Sequence, residues 1–136
     1  MQDRFRFRVW EKDQKIMKEC TQITLDKDQK GSMCDVKGKV TAHLVYQPHY
    51  ILMQSTGLKD KNGKLIYEGD IIKIPDDYDT YGMFACEKRE VYFNEGGFRL
   101  KPKWDKNSRG NWLEDTKDFE VIGNIYENPE LLEVKE

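Results

Sequence analysis

Four aspartates lie within ten residues of one another, in or beside a loop that follows a predicted strand: Asp70, Asp76, Asp77 and Asp79. Hard cations bind several carboxylate oxygens at once, so a metal-dependent hydrolase is one hypothesis for this sequence. No further acid follows at the spacing of a calcium-binding EF-hand loop. Because charged side chains are mostly exposed in proteins, the favoured interpretation is a solvated loop that binds no metal or other cofactor.

A basic and aromatic stretch near residue 100 is the second candidate site. Such a mixture is typical of proteins that bind single-stranded nucleic acid, where cations contact phosphates and rings stack on bases. The candidate nucleic-acid-binding residues are Arg99, Lys101, Lys103, Trp104, Lys106 and Arg109. The charge then changes sign, since residues 113–136 hold eight acids and two lysines. With an isoelectric point near 5.8, nucleic acid is an alternative partner and not the favoured one.

Aromatic residues are numerous for a chain of 136 residues, with six Phe, seven Tyr and three Trp. A core of this size cannot bury all of them fully. Tyr and Trp dominate the energetics of protein interfaces, and a free edge strand offers a second route to association. We therefore expect either a homo-oligomer or a complex with another protein.

The chain holds few residues of the kinds that act as nucleophiles or metal ligands. No serine lies in a Gly-x-Ser-x-Gly motif and no phosphate-binding glycine motif occurs. Cys20, Cys34 and Cys86 are odd in number and widely spaced, and His43 and His49 have no Cys-x-x-Cys pair beside them. Disulfide frameworks and structural zinc sites use paired ligands. The favoured interpretation is buried thiols in a reducing compartment, with no catalytic residue.

The elements that would position these residues are predicted to be β-strands. In residues 4–10 (RFRFRVW), Phe5, Phe7 and Val9 alternate with arginines, which places the apolar side chains on one face of a strand. The polar residues 11–14 suit a tight turn, after which residues 15–17 begin the second arm of a hairpin. Residues 26–39 are mostly polar and are predicted to be a loop.

Turn signals divide the rest of the chain into further short strands. The Asn62-Gly63 step favours positive φ, and Asn128 and Pro129 fit the cap and first position of a short helix. No segment of twelve residues has a helical apolar period. The predicted fold is mainly β, with short antiparallel strands that form a bent sheet or a small SH3-like barrel, and with a short C-terminal helix.

Length and composition predict one compact unit with two regions. The first is a β-hairpin region over residues 1–53, and the second is a barrel-like region over residues 54–136. Hydrophobic residues make up 38% of the chain and charged residues 35%, with a formal net charge of −2. No run of 18 apolar residues is present, and the first residues do not form a signal peptide. We therefore expect a cytoplasmic protein without membrane contact.

Three stretches resemble the YopX family of phages and prophages of Gram-positive bacteria. They are RFRFRVW at residues 4–10, QSTGLKDKNGKLIYEGDII at residues 54–72 and VIGNIYENPELL at residues 121–132. The resemblance implies a small, mostly β, YopX-like protein that is encoded on a phage or prophage and made in the bacterial cytoplasm. It carries over no catalytic residue, because the family has no established biochemical activity.

These observations favour a non-enzymatic phage accessory protein that acts by macromolecular binding or by self-assembly. Its partner would be a second copy of the chain, or a phage or host protein. The partner surface would use exposed aromatic side chains and the loop at residues 101–109. The two alternatives are a nucleic-acid-binding module and a metal-dependent hydrolase.

Overall fold

The structure is a computed structural model that describes residues 5–20, 22–24, 33–36, 39–43, 50–75, 88–101 and 111–133. The strands within these ranges are β1 (Phe7–Glu11), β2 (Ile16–Cys20), β3 (Gln22–Thr24), β4 (Met33–Val36), β5 (Lys39–His43), β6 (Tyr50–Lys59), β7 (Leu65–Tyr67), β8 (Asp70–Lys73), β9 (Lys88–Asn94), β10 (Gly97–Leu100), β11 (Asn111–Trp112) and β12 (Glu120–Asn124). A 3-10 turn spans Pro129–Leu132. The chain separates into two compact units, Met1–Ser55 and Thr56–Glu136.

In the first unit, β1 lies between β2 and β6 in an antiparallel sheet. The hairpin prediction for residues 4–17 is confirmed, because β1 and β2 pair directly on either side of a four-residue turn. Val9 and Cys20 form a small buried core. Phe7 packs against this core and shares its face with Val9, as the alternation predicts. The other face is also partly buried, because Trp10 is only 7% exposed.

Cys20 is buried, as expected, but it takes part in a disulfide bond, so the expectation of a thiol at this position is wrong and cysteine usage does not indicate a reducing compartment. Sequence spacing could not predict this bond, because pairing depends on which strands the fold brings together. The two other cysteines are Cys34 and Cys86, and neither side chain is among those described.

A separate three-stranded antiparallel sheet has the order β3-β4-β5. β4 lies within residues 26–39, so the prediction of a loop over that whole stretch is wrong. β4 is the apolar part of this stretch, with Met33, Cys34 and Val36 among mostly polar residues, and the composition of the whole stretch concealed it. The register shifts between Cys34 and Asp35, which marks a local irregularity in β4.

The second unit is built on a five-stranded sheet with the order β11-β10-β9-β8-β12. One face of this sheet carries the main core, a cluster of buried side chains: Ile66, Ile72, Ile74, Val91, Leu100, Leu113 and Phe119. The register of β12 against β8 shifts between Val121 and Gly123. A bulge of this kind bends a strand and increases its twist. The core therefore lies on one side of a bent antiparallel sheet.

The prediction of a mainly β fold made of short antiparallel strands is confirmed. The predicted C-terminal helix is a single 3-10 turn with Pro129 in its first turn. Asn128 is at the cap position as expected, but its side chain makes no capping hydrogen bond to this turn. The closed form of an SH3-like barrel stays a prediction.

Candidate functional site

Asp60 closes the turn after β6 and joins it to β12. Its Oδ1 atom accepts hydrogen bonds from the backbone N–H groups of Asn62 and Lys64 at 2.9 Å, and Oδ2 accepts one from the Val121 N–H at 3.0 Å. The Asp60 N–H also donates to the Lys64 carbonyl at 2.8 Å. Gly63 supplies the positive φ of 79° in this turn, which glycine adopts without steric cost. The Asn-Gly signal and the aspartate before it are thus explained by the turn itself.

The hydrogen bonds of Asp60 keep its carboxyl group ionised in spite of its burial. Burial, the largest single influence, acts to raise the pKa. The N–H groups of Val121, Lys64 and Asn62, with the positive charge of Lys64, act in the opposite direction and outweigh it. The net effect lowers the pKa below its ordinary value of 3.8. A carboxylate that already accepts three internal hydrogen bonds is a structural anchor.

Asn124 is a second buried polar anchor, at the end of β12. Its Oδ1 atom accepts hydrogen bonds from the N–H groups of Tyr126 and Glu127 at 3.0 and 2.8 Å. Asn128 closes the same turn, because its Oδ1 accepts the Asn124 N–H at 3.2 Å and its own N–H donates to the Asn124 carbonyl at 2.9 Å. A Cβ atom at Gly123 would lie 2.5 Å from Asn128 Oδ1, so only glycine fits there without a shift.

Further hydrogen bonds join the segments on and beside the two anchored turns to neighbouring parts of the second half of the chain. These run from the Lys61 N–H to the Phe119 carbonyl at 2.9 Å, from the Ile125 N–H to the Gly69 carbonyl at 2.9 Å, and from the Thr116 hydroxyl to the Lys59 carbonyl at 2.6 Å. We call residues 59–70 and 116–128 the motif junction. It contains most of the two longer sequence motifs, and its polar groups hold the strands together.

The five-stranded sheet has a second face, opposite to its core. The register and the alternation of side chains place these residues on it: Ile71, Lys73, Lys88, Glu90, Tyr92, Asn94, Gly97, Arg99, Lys101, Trp112 and Glu120. We call this set the cation–aromatic face. All of it lies within the second unit.

Trp112 is held in place on this face although it is 52% exposed. Its direct cross-strand partner is Arg99, whose guanidinium carbon lies 3.5 Å from the centroid of the indole ring. Arg99 is only 6% exposed, and its Nε donates to the Asn94 carbonyl at 3.3 Å. Gly97 leaves the space for the ring, since a Cβ atom there would overlap Trp112. The indole ring is therefore held by its contacts with Arg99 and Gly97 and remains half exposed to solvent.

Tyr92 continues the same row on the other side of Arg99, its partner in the register of β9 and β10. The Nζ atom of Lys101 lies 5.5 Å from the centroid of the Tyr92 ring and 3.1 Å from Glu90 Oε2. The Lys101 side chain is 51% exposed, so this ion pair is accessible to water. Rings and cations thus alternate across three neighbouring strands.

Lys73 and Lys88 form the cationic end of this face. They are direct cross-strand partners and both are exposed. Like charges in this position repel each other, and Glu120, the partner of Lys73 on β12, acts against this repulsion. A groove of about 470 Å³ beside Lys88 is lined by the C-terminal residues Glu130, Leu131 and Glu133. These acids border the cationic end.

The structure describes only part of the candidate nucleic-acid site. Arg99 and Lys101 lie on one face, but Arg99 is covered by Trp112 and Lys101 is paired with Glu90. The other four predicted residues lie outside the described residues: Lys103, Trp104, Lys106 and Arg109. Sequence reasoning missed Tyr92, Lys73 and Lys88. The feature of the sequence that could have identified them is the alternation of core-facing and outward-facing positions along β8 and β9.

The acidic cluster is likewise described only in part. Asp70 is buried, and its Oδ2 accepts the Tyr67 N–H at 2.8 Å, so it closes the turn before β8. Asp76, Asp77 and Asp79 lie outside the described residues. Within the described ranges, no group of three His, Cys, Asp or Glu residues is placed to hold a metal ion. In the same ranges, no helix has the length and apolar character needed to cross a membrane.

A family model described as "YopX protein" matches residues 6–133 of the chain. The SPbeta prophage-derived uncharacterized protein YopX of Bacillus subtilis (strain 168) is 40% identical over 76 residues. That match covers 52% of this chain and 52% of the relative, so it spans about half of each protein.

Two solved structures are similar over nearly the whole chain. The crystal structure of YopX from Bacillus subtilis has a TM-score of 0.64 and 25% identity, over 96% of this chain and 99% of that one. The crystal structure of protein EF1440 from Enterococcus faecalis has a TM-score of 0.58 and 31% identity, over 94% of this chain and 97% of that one.

Proposed function

Because the chain belongs to the YopX family, we propose that it is a non-enzymatic phage or prophage accessory protein that binds a macromolecule through the cation–aromatic face. The prophage origin of the Bacillus subtilis relative supports the first part of this proposal. The second part rests on the side chains of the second unit. Binding in the bacterial cytoplasm is part of the proposal.

The observation that carries the proposal is the fixed and half-exposed ring of Trp112. A large apolar ring in water has a cost that burial against a partner would remove. Arg99 and Gly97 hold this ring in one position, so little side-chain entropy remains to be lost on binding. Trp and Arg are also the residue types that are enriched in binding hot spots.

The motif junction supports a role that does not depend on catalysis. Asp60 and Asn124 are the polar groups that a search for an active site would select, because they are buried and lie in the sequence motifs. Each of them is hydrogen-bonded to backbone groups of its own turn. Their chemistry is therefore explained by folding.

Self-assembly is a second candidate within this proposal, and Phe93 favours it. Phe93 is 52% exposed and lies on the opposite side of the β9–β10 hairpin from Trp112. Its ring contacts Phe98 edge-to-face at 5.3 Å. A hairpin with an exposed ring on each side could join two copies of the chain.

Sedimentation velocity of the purified chain tests the proposal. The protein would be measured alone and with labelled single- and double-stranded DNA, at low and high salt, beside the variants Trp112→Ala and Phe93→Ala. Faster sedimentation than a 16.2 kDa monomer, reduced by Trp112→Ala, would support binding through the proposed face. Faster sedimentation that only Phe93→Ala reduces would instead favour assembly through the other side of the hairpin.

Two results together would contradict the proposal. The wild-type chain would sediment as a monomer under every condition. In addition, affinity capture from host cells would recover the same macromolecules with wild type and with Trp112→Ala.

A further inference from the structure

We propose that the ligand of the cation–aromatic face is a single-stranded polynucleotide, whose bases stack on Trp112 and Tyr92 and whose phosphates contact Lys73, Lys88 and Lys101. This inference rests on the proposed function and names the class of partner. It uses described residues only, and Lys101 is the one residue that it shares with the site predicted from the sequence.

The ring of Trp112 has the properties of a stacking platform. One side of the indole is occupied by the guanidinium of Arg99, 3.5 Å from the ring centroid, while half of the side chain is exposed. Stacking on an aromatic ring is available to every base, because each base has a π-face. Arg99 lies under the indole and contributes by holding the ring, so it is a positioning residue.

The cations on the same face supply the charge complementarity. Lys73 and Lys88 are adjacent across the strands, both are exposed, and their like charges repel each other, with Glu120 as the second cross-strand neighbour of Lys73. A phosphate placed between the two ammonium groups would remove that repulsion. Lys101 lies next along the sheet, and its surface ion pair with Glu90 is weak enough to be exchanged for a phosphate contact.

The spatial order of these groups favours a single strand. Cations lie at one end of the face and the rings of Tyr92 and Trp112 lie at the other. A duplex offers only its phosphates to a flat sheet, because its bases are stacked on each other. An unpaired strand can place phosphates on the lysines and bases on the rings at the same time.

The C-terminal turn limits the cationic end. Glu130 and Glu133 line the groove beside Lys88, so their charges oppose the approach of a phosphate there. Both residues are exposed, and substitution with glutamine would keep the backbone hydrogen bond from the Glu133 N–H to the Glu130 carbonyl. Removal of these two charges should therefore strengthen binding.

The test is fluorescence anisotropy with labelled oligonucleotides of one length: single-stranded DNA, single-stranded RNA and duplex DNA. We expect either single strand to bind more tightly than the duplex. Comparison of single-stranded DNA with single-stranded RNA then shows which of the two the site prefers. Trp112→Ala should weaken single-strand binding at least about fivefold. Trp112→Phe keeps an aromatic ring and should lose less affinity than Trp112→Ala. This comparison separates a loss of stacking from a loss of the fold. Phe5→Ala, which removes an exposed ring from the first unit, should bind like wild type.

Charge variants give a second and independent readout. The double variant Lys73→Ala, Lys88→Ala should lower the slope of affinity against salt by roughly 0.7 for each lysine–phosphate interaction that it removes. The double variant Glu130→Gln, Glu133→Gln should bind at least about twofold more tightly at low salt, because it removes two negative charges beside Lys88. Thermal unfolding of each variant confirms that it is folded.

Three results would overturn the inference. They are a preference for duplex, equal binding by wild type and Trp112→Ala, and no binding of any oligonucleotide at low salt. The proposed function would survive the last result if sedimentation still showed assembly that depends on Trp112. It would fail together with the inference if no such assembly or capture occurred.

Discussion

The motif junction and the cation–aromatic face belong to the same unit but use their polar groups in opposite ways. At the junction, the Asp60 carboxylate is buried and accepts three backbone hydrogen bonds. On the face, Lys73 and Lys88 lie side by side in solvent, and Trp112 is half exposed. The junction satisfies its groups internally, whereas the face leaves charge and apolar surface directed outwards.

This difference separates the residues that identify the family from the residues that we propose to act. The glycines and polar residues of the longer motifs are explained by turns and by close backbone contacts. Trp112 differs from them, because it covers a buried arginine and still leaves half of its surface in solvent, where a partner would bury it. Variants in the two regions should therefore differ in which property they change, stability or binding.

Asp60→Ala should produce the largest loss of stability. It leaves three backbone N–H groups without their acceptor in a site where Asp60 is 6% exposed. Unsatisfied buried donors cost about 1–3 kcal/mol each, with partial relief from water, so we expect a total loss of about 3 kcal/mol. Urea unfolding measures this value, and the exposed Asp118→Asn serves as the control. A loss below about 1 kcal/mol would show that the junction is not a structural anchor.

Gly123→Ala should cost about 2 kcal/mol, because the new methyl group would lie 2.5 Å from Asn128 Oδ1. The second variant is Asn128→Ala, which removes the two closest atoms, Oδ1 and Cγ, together with the hydrogen bond to Asn124, and keeps the Asn128 Cβ at 2.9 Å. The double variant should therefore lose less than the sum of the single losses. Additive losses in urea unfolding would contradict the steric explanation.

Acid should weaken the junction through Asp60. Folding lowers the pKa of Asp60 below 3.8, so its contribution to stability is complete above that pH and is lost as the pH falls through the folded-state pKa. Asp60→Asn has no such titration. The difference in unfolding free energy between wild type and Asp60→Asn should thus be constant near neutrality and shrink below pH 4. A difference that stays constant to pH 2 would contradict this assignment.

Trp112→Ala should change stability little and binding much, the reverse of Asp60→Ala. The loss of its interaction with Arg99 should cost about 1 kcal/mol, as expected for a partly exposed cation–π pair. Phe93→Ala is the matched control, because the two rings have the same exposed fraction on opposite faces. A loss above about 3 kcal/mol in urea unfolding would show that Trp112 is a structural residue like Asp60. It would contradict the proposed difference between the motif junction and the cation–aromatic face.

The sequence was informative where local chemistry determines structure. Alternation in residues 4–10 predicted β1, and the Asn62-Gly63 step predicted the turn that Asp60 closes. It was less informative about β4, a short and mostly apolar strand inside a polar stretch, and about the disulfide of Cys20. The composition of the whole stretch concealed the short apolar run of β4, and cysteine spacing does not encode which thiols the fold brings together.

The candidate site was predictable only in part for the same reason. Arg99 and Lys101 stood out because they lie in a basic stretch, but Lys73 and Lys88 are 15 positions apart and become neighbours only through the register of β8 and β9. The burial of Arg99 under Trp112 likewise depends on the pairing of β10 with β11. Composition identified the types of residue, and the sheet determined which of them share a face.

Lys61→Ala should have the smallest effect, although Lys61 lies within the motif junction. Its backbone N–H donates to the Phe119 carbonyl, and alanine keeps that hydrogen bond. Its side chain forms an ion pair with Glu120 at 3.3 Å, but both side chains are well exposed. Exposed pairs contribute little, so urea unfolding should change by less than about 0.5 kcal/mol. A larger loss would mean that side-chain charge also stabilises the junction, whereas the expected result would confine its stability to buried hydrogen bonds and backbone geometry.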